Sequence, residues 1–327
     1  MKKSVGLEEK AEAYEPMGIV AADIRPSGVG VKHLQVHSGA EATCLRFNGL
    51  GTYLATGGGD SVVKIWDANN GECVDTLRIH SKPVSALALS YSGELLLTCS
   101  VDRQMKFYNM KFKRVTNQMS GGHTDSINAC CFCQSQAVAL TGSSDRTIKI
   151  WDANVTTQRG KMACASGIMS LDIAMSDSVV ASGHRDGSLK FWSIKDNSLV
   201  FEVKKVHDDL VSSVRYNPSD GNQIFTSGND HTVKVVDIRM HKVLHSYENE
   251  FFYNTRDTAS IGVSPGGRYV ALGSKNGNLI ILDAFNDGDL QENFKKDHQG
   301  GVVAVEWAAR TGKLASVDQK GTLIIWT

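Results

Sequence analysis

The sequence predicts an all-β protein: a seven-bladed β-propeller with four antiparallel strands in each blade. Three observations support this fold. The segment DSVVKIWD at residues 60–67 returns as DRTIKIWD at 145–152 and as DGSLKFWS at 186–193. Within each unit, apolar residues alternate with polar ones in short runs that are separated by turn residues. The residue that opens each copy recurs about every 43 residues, at Asp60, Asp102, Asp145, Asp186, Asp230, Asn276 and Lys320.

Other residue types keep a fixed phase relative to this position. A histidine precedes the acid in most units, a hydroxyl residue lies four positions before it, and an aromatic or apolar residue lies six positions after it. With its period and its terminal Trp-Asp, the chain resembles the WD-repeat family over roughly residues 30–327. The resemblance implies that the four side chains form a buried hydrogen-bonded network. Two units carry all four members: His37, Thr56, Asp60 and Trp66, and His123, Thr141, Asp145 and Trp151.

The same residue types suggest a second interpretation, a hydrolytic enzyme with a Ser/Thr-His-Asp triad. A catalytic triad is needed once, whereas this set recurs from unit to unit. The sequence also contains no phosphate-binding loop of the Walker type, no His-Glu-x-x-His pair and no Gly-x-Ser-x-Gly motif. We therefore expect no catalysis, no metal site and no cofactor.

The last repeat reaches only Trp326-Thr327, the third strand of its unit, so its fourth strand has to come from elsewhere. Residues 29–37, VGVKHLQVH, resemble residues 73–80, CVDTLRIH, which are predicted to form an outer strand. The N-terminal segment is therefore predicted to close the seventh blade and to remove a free sheet edge. We expect residues 1–17 to be a mobile tail and residues 18–327 to form the propeller.

Composition excludes several functional classes. The 35 Lys and Arg residues equal the 35 Asp and Glu residues in number, so no overall field favours nucleic acid or an anionic membrane. The seven cysteines, an odd number, are expected to be reduced thiols. The N-terminus lacks the apolar core of a secretory signal. We expect a soluble, cytoplasmic domain that is monomeric in isolation and binds other proteins or short peptides.

Units four to seven contain four distinctive segments: 182–192 (SGHRDGSLKFW), 233–239 (VKVVDIR), 263–274 (VSPGGRYVALGS) and 316–326 (SVDQKGTLIIW). In these segments the chain resembles the C-terminal propeller of the autophagy-related protein 16 family. This resemblance implies a non-enzymatic scaffold that recruits partners for ubiquitin-like conjugation at membranes. Alternatives are a general WD-repeat adaptor and a substrate receptor of a cullin-four ubiquitin ligase, because Asp237-Ile238-Arg239 resembles the Trp-Asp-x-Arg box of such receptors. Local pairing of Arg239 explains the same residues more simply.

A lipid-binding propeller was a further alternative. The Phe-Arg-Arg-Gly loop of propellers that bind phosphoinositides does not occur here. The basic pairs at 204–205 and 295–296, and the run KFKR at 111–114, are interpreted as solvated loop charges that support at most weak or indirect membrane contact.

The family's geometry implies that residues flanking the first apolar position of each innermost strand face the narrow end of the channel. This rim is mostly small and mildly acidic and has no Lys or Arg among its predicted members, so a phosphate ligand is not expected there. Met169 and Leu210 are predicted to form a shallow exposed docking patch. The predicted partner-binding residues are Glu41, Thr43, Pro83, Ser85, Ser126, Asn128, Met169, Leu210, Ser212 and Asp257.

Overall fold

The structure consists of seven antiparallel sheets of four strands each. It is a computed structural model, and it describes residues 32–37, 39–119, 122–134, 137–154, 157–257, 259–286, 288–295 and 297–326. In six of the seven pairs of neighbouring sheets the innermost strands lie side by side. Between the fifth and sixth sheets the Ile261 N–H donates to Ser213 Oγ at 3.3 Å, so the innermost strands surround a central axis. The predicted seven-bladed propeller is confirmed. Among the described residues, no helix is long and apolar enough to cross a membrane.

Each blade contributes one strand to each of four concentric positions. The innermost strands are β2 (Ala42–Phe47), β6 (Val84–Leu89), β10 (Ile127–Phe132), β14 (Ile168–Ile173), β18 (Val211–Tyr216), β22 (Gly262–Val263) and β26 (Val302–Trp307). The second strands are β3 (Tyr53–Gly58), β7 (Leu95–Ser100), β11 (Val138–Ser143), β15 (Val179–His184), β19 (Gln223–Gly228), β23 (Tyr269–Gly273) and β27 (Leu314–Asp318). The third strands are β4 (Val63–Asp67), β8 (Met105–Asn109), β12 (Thr147–Asp152), β16 (Leu189–Ser193), β20 (Thr232–Asp237), β24 (Leu279–Asp283) and β28 (Thr322–Trp326). The outer strands are β5 (Cys73–Leu77), β9 (Arg114–Met119), β13 (Gln158–Ala163), β17 (Ser198–Val203), β21 (Lys242–Glu248), β25 (Asp289–Phe294) and β1 (Lys32–Gln35).

Strand β1 closes the seventh blade. It pairs antiparallel with β28, from Lys32 opposite Ile325 to Gln35 opposite Thr322. The predicted closing strand was longer, at 29–37; in the structure the pairing covers four residues, and 29–31 lie outside the described residues. The same holds for the predicted tail at 1–17, so the tail and the domain boundary at residue 18 stay predictions.

The hydrophobic core is divided among the interfaces between neighbouring blades. Alternating residues of each strand point toward the sheet on either side, so every blade contributes to two buried clusters. One of these clusters joins the first blade to the seventh: Leu45, Leu54 and Trp66 pack with Ala315 and Leu323. The ring is therefore closed by side-chain packing as well as by β1.

Neighbouring blades approach closely where the second strand carries a glycine. A Cβ on Gly183 would lie 2.7 Å from Cγ1 of Val211, and one on Gly142 would lie 2.5 Å from Cγ2 of Ile168. Both partners are the first residue of the next innermost strand. A side chain at either glycine would push two blades apart.

The two ends of the sheets form different faces. The loop before each innermost strand and the turn between the second and third strands lie at one end, which we call the histidine face because His123 and Asp145 meet there. The turns between the third and outer strands lie at the opposite end, which we call the hairpin face. Antiparallel pairing fixes this arrangement in every blade.

Candidate functional site

A linear network of hydrogen bonds crosses the third blade. The Trp151 indole N–H donates to Thr141 Oγ1 at 2.8 Å, Thr141 lies 2.7 Å from His123 Nε2, and His123 Nδ1 lies 2.8 Å from Asp145. One assignment satisfies every group: the Thr141 hydroxyl donates to Nε2 of a neutral histidine, whose Nδ1–H donates to the carboxylate. The network thus connects the third strand to the loop on the histidine face.

The electrostatics of the network favour that assignment. Burial lowers the pKa of His123, and the attraction of Asp145 only partly opposes this effect, so the imidazole is neutral at pH 7. Burial alone would raise the pKa of Asp145. Hydrogen bonds from the Thr147 hydroxyl and the Thr124 N–H outweigh that effect and hold this pKa below its usual value.

The first blade repeats the network with longer contacts. Trp66 donates to Thr56 at 3.0 Å, Thr56 lies 3.3 Å from His37, and His37 lies 3.1 Å from Asp60. All four predicted members in each of these two blades are therefore in contact. Thr56, Thr141 and His37 have no exposed surface, so the networks are part of the core.

In the fourth blade, a histidine from a different position completes the network. Sequence phase assigns no histidine to this unit, because the loop before β14 has none. His184, at the end of β15, contacts Ser182 at 2.8 Å, and Trp192 donates to the same hydroxyl. His184 Nδ1 lies 3.3 Å from the carbonyl of Ser166, which takes the place of the carboxylate. The missing histidine is thus replaced in space, although not in sequence.

The seventh blade also has a complete set. The sequence pattern places Lys320 at the acidic position, but Asp318 occupies the corresponding space, 3.3 Å from His298. His298 lies 2.7 Å from Ser316, to which Trp326 donates at 2.9 Å. In the sequence, Asp318 lies two residues before the expected acidic position, and the turn places its carboxylate beside His298.

These networks have the distances of a hydrolytic triad but not its accessibility. Thr141 is fully buried, His123 is 4% exposed, and the hydroxyl oxygen already accepts the indole N–H. A substrate carbonyl could reach the oxygen only after the blade opened. The described residues also contain no group of three or more His, Cys, Asp or Glu side chains arranged to hold a metal ion.

Half of the ten predicted partner-binding residues lie at β-bulges, namely Thr43, Ser85, Asn128, Met169 and Ser212. In six innermost strands the pairing register shifts between the first and third residues, so the second residue is turned out of the ladder. Three of these residues donate to the first innermost residue of the following blade. Thr43 bonds the Val84 carbonyl at 2.6 Å, Asn128 bonds the Ile168 carbonyl at 2.8 Å, and Ser85 bonds the Ile127 carbonyl. No pattern in the sequence predicts these contacts between blades.

The predicted exposed patch at Met169 and Leu210 is wrong. Met169 is 6% exposed and Leu210 is 5% exposed. The bulge turns Met169 into the wall of the channel mouth, where its sulfur lies 3.8 Å from Asn128 Nδ2. The Leu210 carbonyl accepts from Asn229 N, which holds it against the turn of the same blade. Thr43 and Ser212, at 6% and 2% exposed, are likewise not free to contact a partner.

The accessible part of the rim carries paired charges. Pro83 and Asp257 are exposed, while Glu41 and Ser126 are half-buried. Asp257 lies 3.5 Å from Arg185, and Glu41 lies 3.1 Å from Arg256. The rim is therefore less acidic than its predicted members suggested, because arginines from neighbouring loops lie beside the acids.

A pocket of about 470 Å³ opens on the histidine face between the third and fourth blades. Arg146 and Arg185 stand on its two sides, each in the turn between the second and third strands of its blade. Met169, the hydroxyl residues Ser144 and Ser166, and one acid, Asp186, also line the pocket, so its two arginines outnumber its acid. The expectation that no arginine lines the rim is corrected here, because these two come from turns that inner-strand positions do not identify.

Four charged groups line the channel below the mouth. Arg46 lies 3.1 Å from Glu306, and Asp172 accepts the Tyr216 N–H at 2.7 Å. Burial raises the pKa of Asp172, while burial and the nearby Arg46 lower the pKa of Arg215 to about 10. Two acids therefore balance two arginines, and the channel interior offers no strong field to a ligand.

The candidate cullin-type box lies on the hairpin face. Arg239 Nη2 is 3.0 Å from Asp237 Oδ2, and the Arg239 N–H donates to the other carboxylate oxygen at 2.8 Å. This local pairing is the simpler interpretation of the Asp-Ile-Arg segment.

Comparison with known proteins identifies the repeats independently. The pattern of the family described as "WD domain, G-beta repeat" matches residues 28–67, 71–109, 114–152, 155–193 and 199–237. These five segments cover more than half of the chain and correspond to the first five blades. The sixth and seventh blades, which have the same four strands, are not matched.

Several full-length proteins are similar to the chain. "Protein tipD" of Dictyostelium discoideum is 32% identical over 290 residues, which are 88% of this chain and 47% of that protein. "Autophagy-related protein 16" of Arabidopsis thaliana is 27% identical over 278 residues, covering 84% and 53%. "Guanine nucleotide-binding protein subunit beta" of Zea mays is 24% identical over 341 residues, covering 97% and 87%. The chain spans about half the length of the first two relatives, and the resemblance to the autophagy-related protein 16 propeller is confirmed.

Proposed function

Because the chain belongs to the WD-repeat family, we propose that it is a non-enzymatic scaffold that holds partner proteins at the histidine face, in the manner of an autophagy-related protein 16 propeller. The pocket between the third and fourth blades is the observation that carries this proposal. It is concave, it lies at the channel mouth, and it combines an apolar side wall at Met169 with two arginines.

The chemistry of the pocket favours an acidic segment of the partner. Arg146 and Arg185 are exposed on opposite sides and present planar guanidinium groups that suit carboxylates. The pair between Arg185 and Asp257 does not block this role, because its side chains are 65% and 51% exposed and such surface pairs contribute little stability. An incoming carboxylate can therefore replace Asp257.

The absence of catalysis belongs to this proposal. It is supported by the repetition of the same arrangement from blade to blade and by the full burial of the hydroxyl residues that contact Nε2 of a network histidine, which are Thr56, Thr98, Thr141, Ser182, Thr226 and Ser316. A cytoplasmic, monomeric domain is part of the same proposal, and the seven free cysteines support the cytoplasmic location. Burial raises the pKa of Cys44 to about 12, which keeps that thiol unreactive.

Reversing the charge of both arginines tests the proposal. In affinity purification, Arg146→Glu combined with Arg185→Glu should lower recovery of the specific partners at least tenfold, the loss expected when two charged hydrogen-bonding groups are removed. A matched control reverses Lys195 and Lys242, which are exposed on the hairpin face of the fourth and fifth blades. Equal recovery with both double variants would contradict docking at the pocket.

The autophagy role needs its own experiment. The experiment uses a chimera in which this chain replaces the matching segment of the Arabidopsis autophagy-related protein 16. In a plant that lacks its own copy of that protein, the chimera should restore attachment of a ubiquitin-like protein to membranes. Failure, with partner binding intact, would favour the second candidate, a free-standing adaptor. That candidate is supported by the Zea mays protein, whose similarity covers most of both chains.

A further inference from the structure

The hairpin that joins β8 to β9 ends in a basic tip with an exposed aromatic ring, which we call the basic tip (residues 111–114, KFKR). Phe112 is 62% exposed. The Lys111 ammonium lies 5.9 Å from the centre of the Phe112 ring, and the Arg114 guanidinium carbon lies 5.5 Å from it. All residues of the tip are exposed, so two cations lie beside one large apolar side chain and a third, Lys113, follows it in the sequence.

We propose that the basic tip binds the surface of an anionic lipid bilayer. Phe112 would enter the boundary between headgroups and acyl chains, and the three cations would lie among the phosphates. An apolar ring flanked by Lys and Arg suits this interface, because the ring leaves water while the charges attract acidic lipids. Without a membrane, the Phe112 ring would stay in contact with water and have no apolar layer to enter.

The backbone of the tip is ordered by its own hydrogen bonds. The Asn109 side-chain oxygen accepts the Phe112 N–H at 2.9 Å, and Lys113 adopts a left-handed conformation with φ of 48°. In the first blade the same turn position is Gly71, and in the fourth blade it is Asn197, two residue types that tolerate this conformation. A lysine is less favourable than glycine or asparagine in this conformation, so the turn itself does not require the charge at Lys113.

A second hairpin provides an internal comparison. Phe285, between β24 and β25 on the same face, is 64% exposed. Its sequence neighbours are Ala284, Asn286 and Asp287, with no cation among them. The aromatic rings are thus equally exposed at the two tips, but the residues around Phe112 are positively charged and those around Phe285 are negatively charged. Of these two tips, the basic tip is the one that is complementary to an anionic membrane.

The position of the tip agrees with a scaffold that has two working faces. The basic tip lies on the hairpin face, whereas the pocket with Arg146 and Arg185 lies on the histidine face. A propeller that rests on a membrane through Phe112 would leave the pocket open to partners. One exposed acid, Glu94, lies beside the hairpin, since its carbonyl accepts the Met110 N–H at 2.9 Å. It reduces the local positive charge without cancelling it.

Flotation of the full chain with vesicles tests the proposal without any partner protein, so its failure is distinct from failure of the adaptor role. Binding is expected to vesicles of phosphatidylcholine with about 30% phosphatidylserine and to weaken strongly when salt is raised to about 0.5 M. Phosphatidylcholine alone should bind poorly. Phe112→Ala should weaken binding about tenfold or more, and loss of each cation about fivefold. Phe285→Ala, the matched control, should leave binding unchanged.

Lys113→Gly separates membrane binding from folding. Glycine suits the left-handed turn, so the melting temperature should stay equal or rise while vesicle binding falls about fivefold. If the chain failed to float with anionic vesicles, the proposal would be overturned. This outcome includes the case in which the tip binds an acidic protein instead of a membrane. Equal binding to both vesicle types, or equal effects of Phe112→Ala and Phe285→Ala, would overturn it as well.

Discussion

Replacing Thr141 with valine removes one hydroxyl from the third blade while keeping the shape of the side chain. The hydroxyl lies 2.8 Å from Trp151 Nε1 and 2.7 Å from His123 Nε2. Its loss leaves one buried donor and one buried acceptor without a partner, because Thr141 is fully enclosed. Each unsatisfied group costs about 1–3 kcal/mol, so we expect a loss of about 2–6 kcal/mol in the free energy of unfolding.

Thermal unfolding followed by circular dichroism measures this loss. For a chain of this length it corresponds to a fall in melting temperature of roughly 3–9 °C, from the usual entropy of unfolding per residue. Thr76→Val is the matched control: Thr76 lies exposed on the outer strand β5, and its replacement should change stability by less than about 0.5 kcal/mol. If both variants melted at the same temperature, the hydroxyl of Thr141 would not be the bridge between indole and imidazole.

Three further perturbations test the core and the closure. Burial lowers the pKa of His184 to about 4, so as the pH falls the unfolded chain binds a proton at this residue before the folded chain does. The free energy of unfolding should therefore decline by about 3 kcal/mol between pH 6.5 and 4. In urea titrations, His184→Asn should reduce this dependence on pH. Gly183→Ala places a Cβ against Val211 and should destabilise the chain by about 1–3 kcal/mol, whereas Gly221→Ala, where the added Cβ meets nothing, should be nearly neutral in the same melt. Deleting residues 1–36 removes β1 and exposes the edge of β28, so a large drop in melting temperature is expected, and an unchanged melt would contradict closure by this strand.

The repeat made the architecture predictable. Residue types that stay in phase over seven units fix the number of blades and the position of each third strand, because a closed ring needs the same hydrogen bonds in each sheet. The closing role of the N-terminal segment also followed from the sequence, since the last repeat lacks one strand. Both inferences depend on the order and spacing of residue types along the chain, which can be read directly from the sequence.

Features that depend on space rather than on phase were not predictable. His184 joins its network from a shifted position, because a turn can return a side chain to the same place after a different number of residues. Met169 was expected to be exposed, but a bulge rotates it into the channel wall. Arg146 and Arg185 face one pocket from two blades, and no single repeat shows that they are neighbours.

Hydrogen–deuterium exchange of the propeller with a bound partner tests the central claim most directly, because it reports where the partner covers the backbone. We predict slower exchange in the segments that line the pocket on the histidine face, at residues 144–147, 165–169 and 185–188, and unchanged exchange at the hairpin tips. Protection confined to the outer strands or to the hairpin face would contradict a scaffold that holds its partners at the channel mouth.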